Sequence, residues 1–186
     1  HTDKVTYTGY DLFGTTSPQM NKKEFNTKAS NTVEAVSKRL TEYALKKAEE
    51  GKTFEFNLIE GDTNKTLKDK PSADFVFIDG GHSYKTVTHD YTQLKHNKIV
   101  VLDDYFSPDA NDKMPAEEHR GVNKLWTSKI KNRKDAYVYV IPSNDRVIGG
   151  GITHLGAVMD TSLPKYKARV PIIVHPKDYY LDQFQV

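Results

Sequence analysis

Cysteine is missing from the 186-residue sequence, which excludes disulfides and thiolate metal sites. Any metal must therefore be held by Asp, Glu, His or backbone oxygens. A concentrated basic excess is also missing, because 27 Lys and Arg residues stand against 25 Asp and Glu residues. This balance argues against a nucleic-acid partner. No run approaches the roughly 18 apolar residues of a membrane span, and the first residues lack the pattern of a secretory signal. We therefore expect a cytoplasmic protein with no membrane partner.

Short apolar segments alternate with longer helical ones, a pattern typical of α/β proteins with a mostly parallel sheet. The length fits a single domain over 1–186, with 160–186 as a C-terminal extension. Strands are predicted at 5–12, 54–59, 75–78 and 99–102, and helices at about 31–50, 83–96 and 116–130. Two more strands, at 136–141 and 151–159, flank a turn-rich segment. They predict a C-terminal antiparallel hairpin.

Each predicted parallel strand carries an acid at its carboxyl end, where open α/β sheets place their ligand crevice. Asp11, followed by Leu12, lies at the carboxyl end of the first strand, and a carboxylate there can accept both hydroxyls of a ribose. The second strand is followed by Gly61, Asp62 and Thr63. The glycine permits a turn, and Asp62 can face an adenine amine. The alternative is that both acids only cap the turn or helix that follows.

The third strand is followed by a more specific segment, Asp79-Gly80-Gly81-His82-Ser83-Tyr84. The glycines allow close backbone approach, and Ser83 is placed to cap a helix. His82 can lie over the same crevice and take a proton near neutral pH, which suits a general base acting on a hydroxyl. The alternative is that His82 only hydrogen-bonds the loop.

Asp103 and Asp104 follow an all-aliphatic strand and repel each other unless a cation or hydrogen-bond donors offset their charges. Together with Asp79 they predict an oxygen-ligand site for Mg²⁺ or Mn²⁺. The alternative is that one of the two caps a turn and the other is solvated.

These strand-end segments resemble class I S-adenosylmethionine-dependent methyltransferases, and within them the metal-dependent macrocin O-methyltransferase group. The best match is 77–84 followed by 101–105, and the resemblance runs from Val5 to about Met159. It implies a Rossmann-like methyltransferase fold. It also implies that Asp11 and Asp62 hold the cofactor ribose and adenine, and that His82 is the base. The residues implied to hold the metal are Asp79, Asp103 and Asp104.

One feature departs from that family, whose fold opens with a strand and a glycine-rich turn under the methionine part of the cofactor. Nothing before Val5 supplies either, so the sheet is expected to have a gap between the strand at 5–12 and the strand at 75–78. We expect an amino-terminally shortened segment. The alternatives are that 170–174 or another chain fills the gap.

The leading hypothesis is metal-assisted O-methylation of a hydroxylated small molecule or sugar, and a homo-oligomer stays open. Two alternatives are a methyltransferase-like binding or assembly module without catalysis, and a metal-independent methyltransferase. Outside the crevice, the basic run at 124–134 is expected to be a solvated face. His154 is expected to be an ordinary surface or hairpin residue, whereas Tyr10, Tyr84 and Tyr105 are expected near the crevice, where an aromatic ring can stack on a substrate.

Overall fold

The computed structural model describes residues 3–15, 32–106, 120–146 and 152–162. Over these residues the strands are β1 (Lys4–Asp11), β2 (Thr53–Glu60), β3 (Phe75–Ile78), β4 (Ile99–Phe106), β5 (Ala136–Arg146) and β6 (Ile152–Asp160). The helices are α1 (Val33–Glu49), α2 (Thr63–Thr66), α3 (Tyr84–Leu94) and α4 (Gly121–Leu125). A 3-10 turn, Phe13–Thr15, follows β1, and a π-helical turn, Trp126–Ile130, continues α4.

The chain divides into two compact units, of which the first, His1–Lys68, contains a parallel strand pair and its crossover helix. β1 pairs with β2 along its whole length, so that Asp11 lies opposite Glu60. Helix α1 begins after Thr32, whose hydroxyl accepts a hydrogen bond from the Ala35 N–H at 3.2 Å. Because the pairing is parallel, β1 and β2 present their carboxyl ends at one edge.

The second unit, Asp69–Val186, contains a four-stranded sheet in the order β3-β4-β6-β5. β3 and β4 are parallel, whereas β6 runs antiparallel to both β4 and β5. Its core includes Leu102 on the sheet and Leu125 and Ile130 on the helical side, each 0% exposed. Fully burying a side chain of this kind contributes about 1.5–3 kcal/mol. This packing fixes α4 relative to β4.

The predicted α/β class, the parallel β3–β4 pair and the C-terminal antiparallel hairpin are confirmed. The strand at 75–78 has the predicted bounds, and α1 and α3 lie within the predicted helices. None of the described strand pairings joins β1 to β3, and the expected gap between them stays a prediction. The alternative that 170–174 fills it concerns residues outside those the structure describes. The single domain stays a prediction.

Two strands, β4 and β5, extend several residues beyond their predicted ends, whereas β1, β2 and β6 differ from their predicted bounds by one residue. β4 does not end at Leu102 but continues to Phe106, so Asp103 and Asp104 lie within the strand rather than after it. The cause is tertiary, because β6 continues to pair with β4 at Tyr105 and Phe106 after an irregularity in the register. β5 likewise extends to Arg146. Local sequence marks the end of an apolar run, but a partner strand decides where the pairing ends.

Three other predictions are tested in the second unit. Of the helix predicted at 116–130, the part before Arg120 lies outside the described residues, and the rest changes to a π-helical turn at Trp126. His154 lies on β6, so it is a hairpin residue as expected, but it is only 1% exposed and therefore not a surface residue. Arg133 is not simply solvated, since it donates hydrogen bonds to Asp135 and to the Tyr91 hydroxyl.

No helix among the described residues is long and apolar enough to cross a membrane.

Candidate active site

A tight turn at the carboxyl end of β3 presents His82. β3 ends at Ile78, and α3 begins at Tyr84 with Ser83 as its N-cap. The Ser83 hydroxyl accepts a hydrogen bond from the Thr86 N–H at 3.2 Å, as its sequence position predicts. The strand end and the helix cap therefore fix both sides of the short segment that carries His82.

An irregularity in β4 presents Asp104. The register with β6 shifts between Leu102 and Tyr105, and Asp104 has a φ of 55°, in the left-handed region that a non-glycine residue rarely adopts. Asp103 Oδ1 accepts a hydrogen bond from the Asp104 N–H at 2.9 Å, which supports this conformation. Backbone strain of this kind occurs preferentially at functional sites.

His82 and Asp104 form a close pair between these two elements. The Nδ1 atom of His82 lies 2.7 Å from Oδ2 of Asp104, and the two side chains are 23% and 18% exposed. Because Ile78 pairs with Leu102, the segments that follow them lie side by side. A carboxylate at this distance orients the imidazole and stabilises its protonated form. This pair was not predicted from the sequence, in which the only signal for it was the expected parallel pairing of the strands at 75–78 and 99–102.

The pair lies in a small crevice that gathers half of the predicted site residues. Five of them line it: Asp79, Gly80, His82, Asp103 and Asp104. Its volume is about 10 Å³, about the space for one water molecule. Val87 and Val122 line the same crevice and make part of it apolar. The prediction that these strand ends meet is therefore correct within the second unit.

The predicted metal ligands do not fit a metal ion in their present arrangement. Carboxylates are suitable ligands for Mg²⁺, but no group of three acidic or His residues within the described ranges is placed to hold a metal. One oxygen of Asp104 is close to His82, and Asp103 accepts the Asp104 N–H. Asp103 and Asp104 are thus each engaged by a protein partner.

The other predicted site residues lie together in the first unit, where β1 and β2 end. The Asp11 carbonyl accepts a hydrogen bond from the Gly61 N–H at 2.9 Å, and Gly61 has a φ of 135°, which favours glycine. Asp11 Oδ1 accepts the Phe13 N–H at 2.8 Å. Leu12 lies directly after Asp11, so the predicted group at this edge is close in space.

Asp62 caps helix α2, whose first residue is Thr63. Its Oδ1 atom accepts hydrogen bonds from the Asn64 N–H at 2.9 Å and from Asn64 Nδ2 at 2.8 Å. The capping alternative for Asp11 and Asp62 is therefore observed. A carboxylate has two oxygens that together accept about four hydrogen bonds, so capping and ligand binding are compatible.

Two of the three tyrosines expected near the crevice, Tyr84 and Tyr105, have protein partners. The Tyr105 ring lies 5.3 Å from the Trp126 ring, within the packing of the core. The Tyr84 hydroxyl lies 3.2 Å from Ser128 Oγ, and Lys124 Nζ lies 5.4 Å from the Tyr84 ring centroid. The hydrogen bond with Ser128 lowers the pKa of Tyr84. Both rings help to hold α4 and its continuation against the rest of the second unit.

A family comparison identifies the class of this domain. Residues 5–105, more than half of the chain, match the model of a family described as a methyltransferase domain. The chain therefore belongs to the methyltransferase-domain family, as its resemblance to class I methyltransferases implies. The matched region contains the whole first unit from Val5 and both halves of the His82–Asp104 pair. No curated protein sequence matches the chain.

Solved methyltransferases show a distant likeness. An O-methyltransferase from Bacillus cereus in complex with SAH is 10% identical, with a TM-score of 0.43 over 83% of this chain and 74% of that chain. The O-methyltransferase TomG from Streptomyces achromogenes, in complex with SAM, is 16% identical, with a TM-score of 0.43 over 83% of this chain and 73% of that chain. At these scores the likeness adds no argument to the family match.

Proposed function

We propose that the chain methylates a hydroxyl oxygen of a small molecule or sugar, with S-adenosylmethionine as the methyl donor. The observation that carries the proposal is the His82–Asp104 pair, in a crevice between the end of β3 and the irregular part of β4. It lies inside the region that matches the methyltransferase family. An imidazole held by a carboxylate is an arrangement that accepts a proton from a hydroxyl.

In this proposal, His82 is the general base. When bound, S-adenosylmethionine supplies an electrophilic methyl group, which leaves sulfur as its bond to the acceptor oxygen forms. His82 Nδ1 faces Asp104, so Nε2 is the nitrogen that takes the hydroxyl proton. Asp104 then stabilises the imidazolium by charge and by hydrogen bonding. The apolar side chains of Val87 and Val122 reduce the exposure of the pair to water.

The proposed cofactor contacts are Asp11, Leu12, Gly61, Asp62, Thr63 and Gly80. Asp11 is assigned to the ribose hydroxyls, because its carboxylate is exposed at the end of β1. Asp62 is assigned to the adenine amine. Gly61 supports both assignments, since its positive φ and its bond to Asp11 shape the turn between them. A cytoplasmic location and a homo-oligomer stay predictions from the sequence.

Assistance by Mg²⁺ or Mn²⁺ at Asp79, Asp103 and Asp104 is a separate prediction from the sequence. The described arrangement does not fit a metal, so no step of the proposed reaction is assigned to one. Turnover measured in EDTA and again after excess Mg²⁺ tests it. Loss restored by Mg²⁺ would support the metal site, whereas undiminished turnover would select the metal-independent alternative.

The proposal is tested by calorimetric titration of the 186-residue chain with S-adenosylhomocysteine, followed by turnover assays with catechol and with methyl glucoside. We expect micromolar binding, and we expect Asp11→Asn to weaken it at least tenfold, because the ribose contact is lost. Asp74→Asn is the matched control, since Asp74 is exposed and bonded to Lys98 before β3. Absence of binding by a cooperatively unfolding chain would favour the non-catalytic module.

A further inference from the structure

Gly121, the first residue of α4, lies directly against the turn that carries His82. Its N–H donates a hydrogen bond to the His82 carbonyl at 3.0 Å. A Cβ atom added at Gly121 would collide with that carbonyl oxygen and would lie 2.6 Å from the Ser83 carbonyl carbon and 2.7 Å from the Tyr84 nitrogen. All three of these atoms belong to the backbone, so the clash cannot be relieved by a change of side-chain rotamer. Only glycine permits this approach of α4 to the turn.

Asn123, two residues further along α4, holds the end of β4. Its Oδ1 atom accepts a hydrogen bond from the Phe106 N–H at 3.0 Å, and its Nδ2 atom donates to the Phe106 carbonyl at 2.7 Å. The Asn123 side chain thus satisfies both the N–H and the carbonyl of Phe106, as a paired residue on a neighbouring strand would. Phe106 is 3% exposed and follows Asp104 by two residues. Asn123 therefore fixes the part of β4 that carries Asp104.

The short helix α4 is itself firmly held. Val122, between the two contacts, is 5% exposed and lines the crevice, and Leu125 is 0% exposed. One rigid turn is consequently bonded to the His82 turn on one side and to the β4 end on the other. The contact between His82 and Asp104 joins side chains on two different elements, so it forms only when both elements hold their side chains at the right distance and angle.

We infer that Gly121 and Asn123 are positioning residues that set the distance between His82 and Asp104. They act on the backbones of the two segments and touch neither reacting group through their own side chains. The catalytic consequence of this inference rests on the proposed function, whereas the structural consequence does not. Two separate measurements therefore test it.

The first measurement is NMR of the ¹⁵N-labelled full chain at pH 7, in which the His82 Nδ1–H bonded to Asp104 gives a downfield proton signal. His82→Gln identifies the signal by removing it. We expect Gly121→Ala to abolish or shift it, and Asn123→Ala to broaden it, while the amide spectrum stays that of a folded protein. Asn123→Ala also serves if Gly121→Ala does not fold.

Two control variants separate positioning from general loss of stability. Thr127→Ala changes an exposed residue in the turn that continues α4, and it should leave the signal in place. Val158→Ala removes buried volume opposite Val100, at the end of β4 far from Asp104. It should lower Tm and keep the signal. An unchanged signal in both Gly121→Ala and Asn123→Ala, or an equal loss in Val158→Ala, would overturn the inference.

The second measurement is turnover of catechol with S-adenosylmethionine. We expect kcat to fall about tenfold or more in Gly121→Ala and Asn123→Ala, because a displaced base contributes less to proton transfer. The Kd for S-adenosylhomocysteine should stay within about twofold of wild type. An unchanged kcat alongside a lost NMR signal would refute the catalytic part. If wild type neither binds cofactor nor turns over, the proposed function fails, but the NMR result still decides the positioning role.

Discussion

The imidazole of His82 lies 2.7 Å from the carboxylate of Asp104, although the whole of α3 separates the two residues in the chain. The pairing of Ile78 with Leu102 brings the ends of β3 and β4 together, and the irregular backbone of Asp104 completes the contact. The contact between His82 and Asp104 thus depends on the pairing of β3 with β4 and on the strained backbone of Asp104. The proposed base catalysis depends on this contact.

Asp104→Asn should reduce turnover with little effect on folding. The amide is almost isosteric but carries no charge to stabilise the imidazolium, so we expect kcat to fall about tenfold or more. Steady-state turnover of the acceptor identified for wild type measures this, and the S-adenosylhomocysteine Kd should stay the same. A variant as active as wild type would remove Asp104 from the mechanism.

Asn97→Ala should destabilise the second unit. Asn97 is 6% exposed, its Oδ1 atom accepts the Ala73 N–H at 2.6 Å, and its Nδ2 atom donates to the carbonyls of Pro71 and Leu94 at 3.2 and 2.7 Å. Alanine leaves these backbone groups without the amide, at a cost of about 2–3 kcal/mol. Urea unfolding should show a lower midpoint at unchanged slope. Lys95→Ala, an exposed neighbour, is the control, and equal losses in both variants would contradict this role.

Gly156→Ala should overpack the core beside Trp126. A Cβ atom at Gly156 would lie 2.6 Å from Cζ3 and 3.0 Å from Cε3 of the indole ring. Forcing a buried ring to move costs about 1–3 kcal/mol. In the double variant with Trp126→Phe, the smaller ring should accommodate the methyl group, so the combined loss should be less than the sum. Strictly additive losses in thermal unfolding would show that the two sites are not coupled.

Asp135→Asn should change the acid sensitivity of the protein. Arg133 donates to both oxygens of Asp135, at 2.9 and 2.7 Å, and lowers the pKa of Asp135 to about 2. A lowered folded-state pKa adds stability above the ordinary Asp pKa, and this stability is lost as pH falls from about 4 to about 2. The Tm difference between wild type and the variant should therefore be present at pH 6 and narrow toward pH 2. A difference that is the same at both values would contradict the pairing.

Much of the fold and part of the candidate site can be predicted from the sequence. Apolar alternation and turn residues locate the strands and helices because these are local preferences of the backbone. The helix cap at Ser83 and the crevice residues Asp79 and His82 follow from position in the same way. The continuation of β4 through Asp103 and Asp104 could not be predicted, since it depends on pairing with β6.

The sequence by itself determined which chemical groups lie at the ends of β1, β2 and β3, because turn residues mark these ends within a single segment of the chain. The tertiary structure alone decided that Asp104 contacts His82, that His154 is buried and that Gly121 abuts the His82 turn. Each of these facts joins segments that are distant in the chain. Their distances are set by packing and strand register, which no local pattern contains.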